Sequence, residues 1–405
     1  MKVKVLKSNA NGVAKAPPSK SYAHRLLICS ALSKGTSIIK GVSDSQDMLA
    51  TLNCINSLGA SYTKVNDSIT ISLPNNQKLS NHFYCNESGS TLRFFIPLAL
   101  AFGGDFTFHG TEKLISRGVD VYKGLFLPKG IKITANKTSV DVSGKLTSGQ
   151  FDVLGNVSSQ FITGLLFALP LIEGDSILNI IPPIESQSYI DITLQVLNKF
   201  GIKIDVIKEN SYKIYGGQKY TACNSIVEGD WSNSAFLYAL SFLGHNVKVE
   251  GLACDSLQGD KACLEIFNKI SKLTTNQSQT DIIDLSNCPD LAPISFAVAS
   301  CFNGAVFTGT KRLAIKESDR AKAMQSELAK FGIKLIVEEN SVKVLSGKLM
   351  PPTQTLFGHN DHRIVMALTI LATLTGAEIE DSQAIAKSYP NFFEVLKELG
   401  VKIIK

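Results

Sequence analysis

The chain has 405 residues, 44% of them hydrophobic and 19% charged, with a net charge of +6. That length exceeds one ordinary core and predicts two domains. The 41 Lys and Arg residues are scattered rather than blocked together, and a single Trp leaves no aromatic–basic alternation, which argues against nucleic-acid binding and favours small anionic ligands.

In chain order, "MKVKVL" alternates as a short strand and has no hydrophobic signal core. A helix follows the prolines of "KAPPSKSYAHRLLICSAL". A pattern then recurs: a helical stretch ending in Gly, followed by two short alternating strands around an Asn or Asp turn. It appears at 55–72, 125–144, 196–216, 266–286 and 326–347, and begins again at 392–405. Glycines 59, 130, 201, 332 and 400 stand where a helix end needs a left-handed residue. Copies return about every 70 residues, enough for a strand–helix–strand unit plus a hairpin. The fourth copy lacks its glycine.

The last copy ends after one strand, "VKIIK", so the opening "MKVKVL" is expected to pair with it. One domain is then discontinuous, residues 1–16 and 230–405, with residues 17–229 inserted. This predicts an α/β fold of six strand–helix repeats, three per domain. Chain termini used inside the fold favour a monomer. The longest apolar run, 161–172, is too short to span a bilayer. Eight cysteines without a C-x-x-C pair read as buried free thiols of a reducing compartment, and the expected location is the cytoplasm.

The helix starts are unusually cationic. Lys20 and Arg25 open the first helix, Arg93 follows "ESGST", Arg117 sits in "LISRGVDVY", and Lys316 and Arg320 flank Glu317. Arg363 follows His362, Lys387 precedes another helix, and Ser158, Ser159 and Gln160 start one more. Positive charge is disfavoured at a helix N-terminus unless an anion is held there. Several such starts converging between two domains suit ligands with multiple negative groups. Their mutual repulsion is expected to oppose closure without ligand.

Bland readings exist for each residue: Ser158 and Ser159 as N-caps, Asp290 and Glu317 as caps or salt-bridge partners, His362 as a packed polar group. The "HNDH" at 359–362 is one His-x-x-His without a further His or Cys cluster, so no metal is expected. "PPSKS" lacks the glycine cradle of a P-loop, and no nucleotide fingerprint or Ser-His-Asp pattern implies a cofactor or covalent route. Asp290 and Glu317 amid cations fit a general base and a general acid.

The set "PPSKSYAHR", "ESGSTLRF", "SSQFITGLL", "SQSYIDIT", "EGDWSNSA", "CPDLAPI", "IKESDR", "NDHRIVMA" and "KSYPNFF" resembles 5-enolpyruvylshikimate-3-phosphate synthases over essentially the whole chain. The resemblance implies a two-domain inverted α/β barrel-like fold with the active site between domains. It implies cofactor-free transfer of the enolpyruvyl group of phosphoenolpyruvate to the 5-hydroxyl of shikimate 3-phosphate. By position, Lys20 contacts both substrates and belongs with Asp290 and Glu317 to the catalytic set. Ser21, Arg25, Ser158, Ser159, Gln160, Ser186 and Lys316 serve shikimate 3-phosphate, with Tyr189 near its ring. Gly89, Arg117, Gln160, Arg320, Arg363 and Lys387 serve phosphoenolpyruvate. Asp290 accepts the hydroxyl proton, and Glu317 handles protons at the enolpyruvyl carbon. Gly89 resembles the arrangement of glyphosate-sensitive members.

Three positions depart from the family: Gly118 where Pro is common, Glu87 where many members have Asn, and Arg312 where some have Asn. The sister enolpyruvyl transferase acting on a UDP-amino sugar pairs its first lysine with Asn and carries a loop Cys. Here Ser21 follows Lys20 and no Cys lies near Arg117.

Overall fold

The computed structural model describes residues 1–74, 78–274, 276–277 and 281–405. The chain divides into two compact units, Pro18–Glu228 and Met1–Pro17 with Gly229–Lys405. Each has its own apolar core.

The unit Pro18–Glu228 repeats one sheet three times. In each, an outer strand runs parallel to the next, and the remaining neighbours are antiparallel. The first sheet is Ser225–Ile226, Thr36–Lys40, Ser68–Ser72, Ser61–Val65. The second is His82–Asn86, Gly104–Gly110, Ser139–Gly144, Lys132–Ala135. The third is Gly149–Leu154, Ser176–Ile181, Ser211–Ile214, Ile204–Lys208. Its helices are α1 (Lys20–Leu32), α2 (Gln46–Ser57), α3 (Gly89–Phe102), α4 (Glu112–Ser116), α5 (Asp120–Phe126), α6 (Ser159–Ala168) and α7 (Gln187–Lys199).

Helices α1, α3 and α6 are buried on nearly every face. Sequences such as "TLRFFIPLALAF" have no polar side to give to water, so the sheets and the amphipathic α2 and α7 wrap around them. Helices α3 and α6 pack closely at Gly164, where a Cβ would lie 2.4 Å from the Arg93 carbonyl and 2.3 Å from the Tyr122 hydroxyl of α5.

The other unit holds α8 (Trp231–Phe242), α9 (Cys263–Lys272), α10 (Ala292–Ser300), α11 (Arg320–Lys330), α12 (His362–Thr375) and α13 (Phe392–Glu398). One sheet, Ile282–Asp284, Ala305–Thr308, Ser341–Val344, Leu335–Val337, has the same order as the three above. In a second, Val3–Val5 lies between Ala377–Glu380 and Ile403–Ile404, with Val5 opposite Ile403. The two ends of the chain therefore pair, as their alternation predicts. Asn11–Lys15 pairs parallel with Asn246–Glu250.

The five marker glycines all have positive φ, between 75° and 93°. The fourth copy departs from expectation. Helix α9 ends at Leu273 in extended conformation, and among the described residues no hairpin follows. The strand Ile282–Asp284 instead joins the next sheet. Residues 275 and 278–280 of that copy lie outside the described residues. Five cysteines are buried, but Cys254 is exposed, contrary to the uniform burial expected. No helix among the described residues is long and apolar enough to cross a membrane.

Candidate active site

In the unit Pro18–Glu228 the cationic helix starts are organised by side chains from neighbouring helices. Ser19 caps α1, and Lys20 in its first turn donates to Asp47 Oδ2 of α2 at 2.8 Å. Arg25, 3% exposed, is anchored at every nitrogen. Its Nε donates to Thr193 Oγ1 at 2.8 Å, Nη1 to the Ser21 carbonyl at 2.8 Å, and Nη2 to the Tyr189 carbonyl at 2.9 Å. The guanidinium lies over the Phe94 and Tyr189 rings. Burial lowers its pKa to about 10, which leaves it cationic at neutral pH.

A second group gathers where α3 and α6 begin. Arg93 Nη1 donates to Gln160 Oε1 at 2.6 Å, and Gln160 Nε2 donates to Ser90 Oγ at 3.0 Å. Arg93 Nη2 reaches the carbonyls of Arg117 and Gly118, each at 3.3 Å. Arg117 closes α4 as its C-cap, so it is not a helix start as the sequence suggested. Its guanidinium lies so close to Gly89 that a Cβ there would stand 3.1 Å from Nη1. Ser158 is the N-cap of α6 and accepts the Gln160 N–H at 3.3 Å, the bland role foreseen for it. Ser159 is the first residue of α6, and Ser186 starts α7 in the left-handed region.

In the unit containing Gly229–Lys405, Asp290 sits on the 3-10 turn Pro289–Leu291 that leads into α10. Asp290 Oδ1 accepts from Arg320 Nη1 at 2.7 Å and Lys316 Nζ at 3.2 Å, while Oδ2 faces Arg363 Nη2 at 3.1 Å. Arg320 opens α11 and is 1% exposed. Its Nη2 donates to Glu317 Oε2 at 2.7 Å and its Nε to Asp361 Oδ2 at 2.9 Å. Asp361 caps α12 by accepting the Arg363 N–H at 2.9 Å and also takes the Ser318 hydroxyl at 3.0 Å. Asp319, not Glu317, caps α11. Lys387 Nζ donates to the Asn360 carbonyl at 2.6 Å, one residue from Asp361.

These contacts define the electrostatics. Burial works against the Arg320 cation, but Asp361, Glu317 and Asp290 outweigh it and hold its pKa above the ordinary arginine value. Burial likewise opposes ionised Asp361, and Arg320 overrides it, keeping that carboxylate's pKa below its ordinary value. Burial lowers the Lys316 pKa against the pull of Asp290. Asp260, buried, is raised to about 6 by its burial and by the charge of Asp290. Four of the cations foreseen as mutually repelling are thus held beside carboxylates: Lys20 by Asp47, and Lys316, Arg320 and Arg363 by Asp290. Such pairing offsets the self-repulsion the sequence implied.

The structure brings Gly89, Arg117 and Gln160 into one group, and Asp290, Lys316, Glu317, Arg320 and Arg363 into another. Arg312 donates to the Ser286 carbonyl at 2.8 Å. Sequence reasoning missed Asp47, Thr193, Asp260 and Asp361. Asp361 had a usable signal, an Asp at the N-cap position ahead of "HRIVMAL". The others are tertiary partners with no local signature. His359 bonds to Glu327 at 3.1 Å, while His362 faces Asp361. Among the described residues no three His, Cys, Asp or Glu side chains could hold a metal together.

Residues 6–396 match the sequence profile of the EPSP synthase (3-phosphoshikimate 1-carboxyvinyltransferase) family. The 3-phosphoshikimate 1-carboxyvinyltransferase of Clostridium kluyveri is 40% identical over 417 residues, covering 99% of this chain and 98% of its own length. That of Clostridium novyi is 39% identical over 424 residues, covering 98% and 97%. Among solved structures, an EPSP synthase from Acinetobacter baumannii superposes with a TM-score of 0.80 at 22% identity, with full coverage of both chains. The enolpyruvyl transferase NikO from Streptomyces tendae gives 0.75 at 13% identity, covering 100% of this chain and 98% of that one. These last two likenesses concern the fold.

Proposed function

The chain belongs to the EPSP synthase (3-phosphoshikimate 1-carboxyvinyltransferase) family, and from that premise we propose how its residues carry the reaction. It is a transferase of the shikimate pathway. It moves the enolpyruvyl group of phosphoenolpyruvate to the 5-hydroxyl of shikimate 3-phosphate and releases phosphate, through addition and elimination.

The observation that carries the assignment is the Arg320 fork, whose two Nη atoms each hold one carboxylate, Asp290 and Glu317, at 2.7 Å. In this reading Glu317 protonates the methylene carbon of phosphoenolpyruvate, which makes the neighbouring carbon electrophilic. Asp290 takes the proton of the attacking 5-hydroxyl, and phosphate leaves from the tetrahedral adduct as the Glu317 carboxylate takes a proton back from the methyl group, which restores the enol double bond. Arg320, Arg363, Lys387 and Arg117 bind phosphoenolpyruvate. Lys20 and Gln160 touch both substrates, and Gly89 keeps room beside Arg117. Ser21, Arg25, Ser158, Ser159, Ser186 and Lys316 bind shikimate 3-phosphate, with Tyr189 near its ring.

The reading places both groups of residues on one pair of substrates and takes the protein as a cytoplasmic monomer and a glyphosate target. Support comes from the buried free cysteines, from the paired chain ends, and from Gly89.

The test is phosphate release from phosphoenolpyruvate with and without shikimate 3-phosphate, in the wild type and in Lys20→Ala, Asp290→Asn and Glu317→Gln. Release that needs both substrates and falls at least about a hundredfold in each variant is expected. Release from phosphoenolpyruvate alone, or undiminished release in the variants, would overturn the assignment.

A further inference from the structure

The reading above leaves one buried network unused. His24, in the second turn of α1, places Nδ1 2.7 Å from Thr51 Oγ1 of α2. Thr51 Oγ1 is 2.8 Å from Thr91 Oγ1 of α3, and the Thr91 hydroxyl donates to Ser88 Oγ at 2.7 Å. Ser88 Oγ also accepts the Thr91 N–H at 3.3 Å, so the chain ends on the N-cap of α3. All four residues are buried, none above 1% exposure.

The Thr91 to Ser88 bond sets the direction of the two links before it. Thr91 has one hydroxyl proton and gives it to Ser88, so Thr51 gives its own to Thr91. His24 then supplies a proton on Nδ1 to Thr51, and the imidazole is neutral with Nε2 bare. Burial, reinforced by Lys20 and Arg25, pushes the His24 pKa well below its ordinary value and favours the neutral ring. The ring also meets Phe94 of α3 edge-on, centroids 6.1 Å apart.

What the chain connects gives it a role. One end lies in α1, whose first turn carries Lys20 and Ser21. The other caps α3, whose first residues are Gly89, against the Arg117 guanidinium, and Ser90, which takes the Gln160 amide. Apolar contacts let packed helices slide by fractions of an ångström, whereas short directional bonds in a dry interior fix one spacing. We propose that the His24–Thr51–Thr91–Ser88 chain is a positioning device, which sets the start of α3, and through Ser90 the Gln160 amide, at a fixed place relative to the start of α1. The inference rests on the functional reading above, and its four members are positioning residues.

Thr51→Val keeps the shape of the middle residue and removes its hydroxyl, leaving the His24 N–H and the Thr91 oxygen without their partner. Thr51→Ser keeps the hydroxyl. Initial rates of phosphate release are measured with each substrate varied in turn, well below the unfolding temperature of every variant. Thr51→Val and Thr91→Val are expected to raise KM for phosphoenolpyruvate about tenfold with kcat within about threefold. Thr51→Ser should stay within about threefold of wild type, and the Thr51→Val/Thr91→Val pair should be no worse than either single variant, because both break one chain. A lowered melting temperature with unchanged KM would reduce the network to a stability element and overturn the proposal, as would equal losses in the Ser and Val variants. Wild type that releases no phosphate with both substrates present would instead sink the transferase reading. Amide exchange in residues 88–92 then decides the positioning claim. Exchange about tenfold faster in Thr51→Val, confined to that turn, supports it, and unchanged exchange refutes it.

Discussion

Arg320 donates its Nε–H to Asp361 Oδ2 across 2.9 Å, with the arginine 1% and the aspartate 0% exposed. This pair orients the fork that holds Asp290 and Glu317, and Asp361 joins α11 to α12 by capping the latter. Asp361→Asn keeps the volume and removes the charge. A buried pair broken on one side costs about 3 kcal/mol. The urea unfolding midpoint should fall accordingly, and kcat should fall with it, because the carboxylates lose their fixed anchor. An unchanged midpoint would show that Arg320 does not depend on Asp361.

Gly89→Ala tests the close approach of α3 to Arg117. The added methyl would meet the far end of a flexible side chain at 3.1 Å, so the fold should tolerate it and the guanidinium should move. KM for phosphoenolpyruvate is expected to rise about tenfold, with KM for shikimate 3-phosphate nearly unchanged. Steady-state kinetics with each substrate varied checks this split.

Gly164→Ala has a different outcome. Here the methyl would meet the Arg93 backbone carbonyl at 2.4 Å and the buried Tyr122 hydroxyl at 2.3 Å, and that hydroxyl itself donates to the Arg93 carbonyl. Neither neighbour can step aside without moving α3. Overpacking should cost about 2–3 kcal/mol, read as a lower melting temperature by calorimetry. A melting temperature equal to wild type would contradict this packing.

The acid side of the stability profile carries a histidine signature. His245 accepts the Ala10 N–H at Nδ1 (3.2 Å) and faces Thr373 Oγ1 with Nε2 (2.9 Å). Because the Thr373 hydroxyl donates to the Ile370 carbonyl, Nε2 carries the proton, and a second proton on Nδ1 would displace Ala10. Burial lowers the His245 pKa from 6.5. The unfolded chain then binds a proton that the folded chain refuses. The contribution is therefore full above the ordinary histidine value and declines as pH falls below it. Melting temperature should drop between about pH 7 and pH 5, and His245→Asn should lessen that drop, the rest coming from His24. A variant with the same slope as wild type would remove His245 from the account.

The periodic features were legible in the sequence because their causes are local. A helix end that needs a left-handed residue takes glycine at 59, 130, 201, 332 and 400, and an alternating terminal strand needs a partner, which Val5 finds in Ile403. Charge at helix starts, and the two carboxylates among them, were likewise visible one residue at a time. The sequence could not say that Asp47, Thr193 and Asp361 hold those cations, since each partner lies far along the chain and has an ordinary surface-residue identity. Nor could it place Arg117 at the end of a short helix, or tie His24 to Ser88 through two threonines that read as unremarkable core. Local rules determine elements and their repetition. Only tertiary packing brings distant side chains within 3 Å, and at that range, out of water, a carboxylate or a hydroxyl decides which way each cation and each proton points.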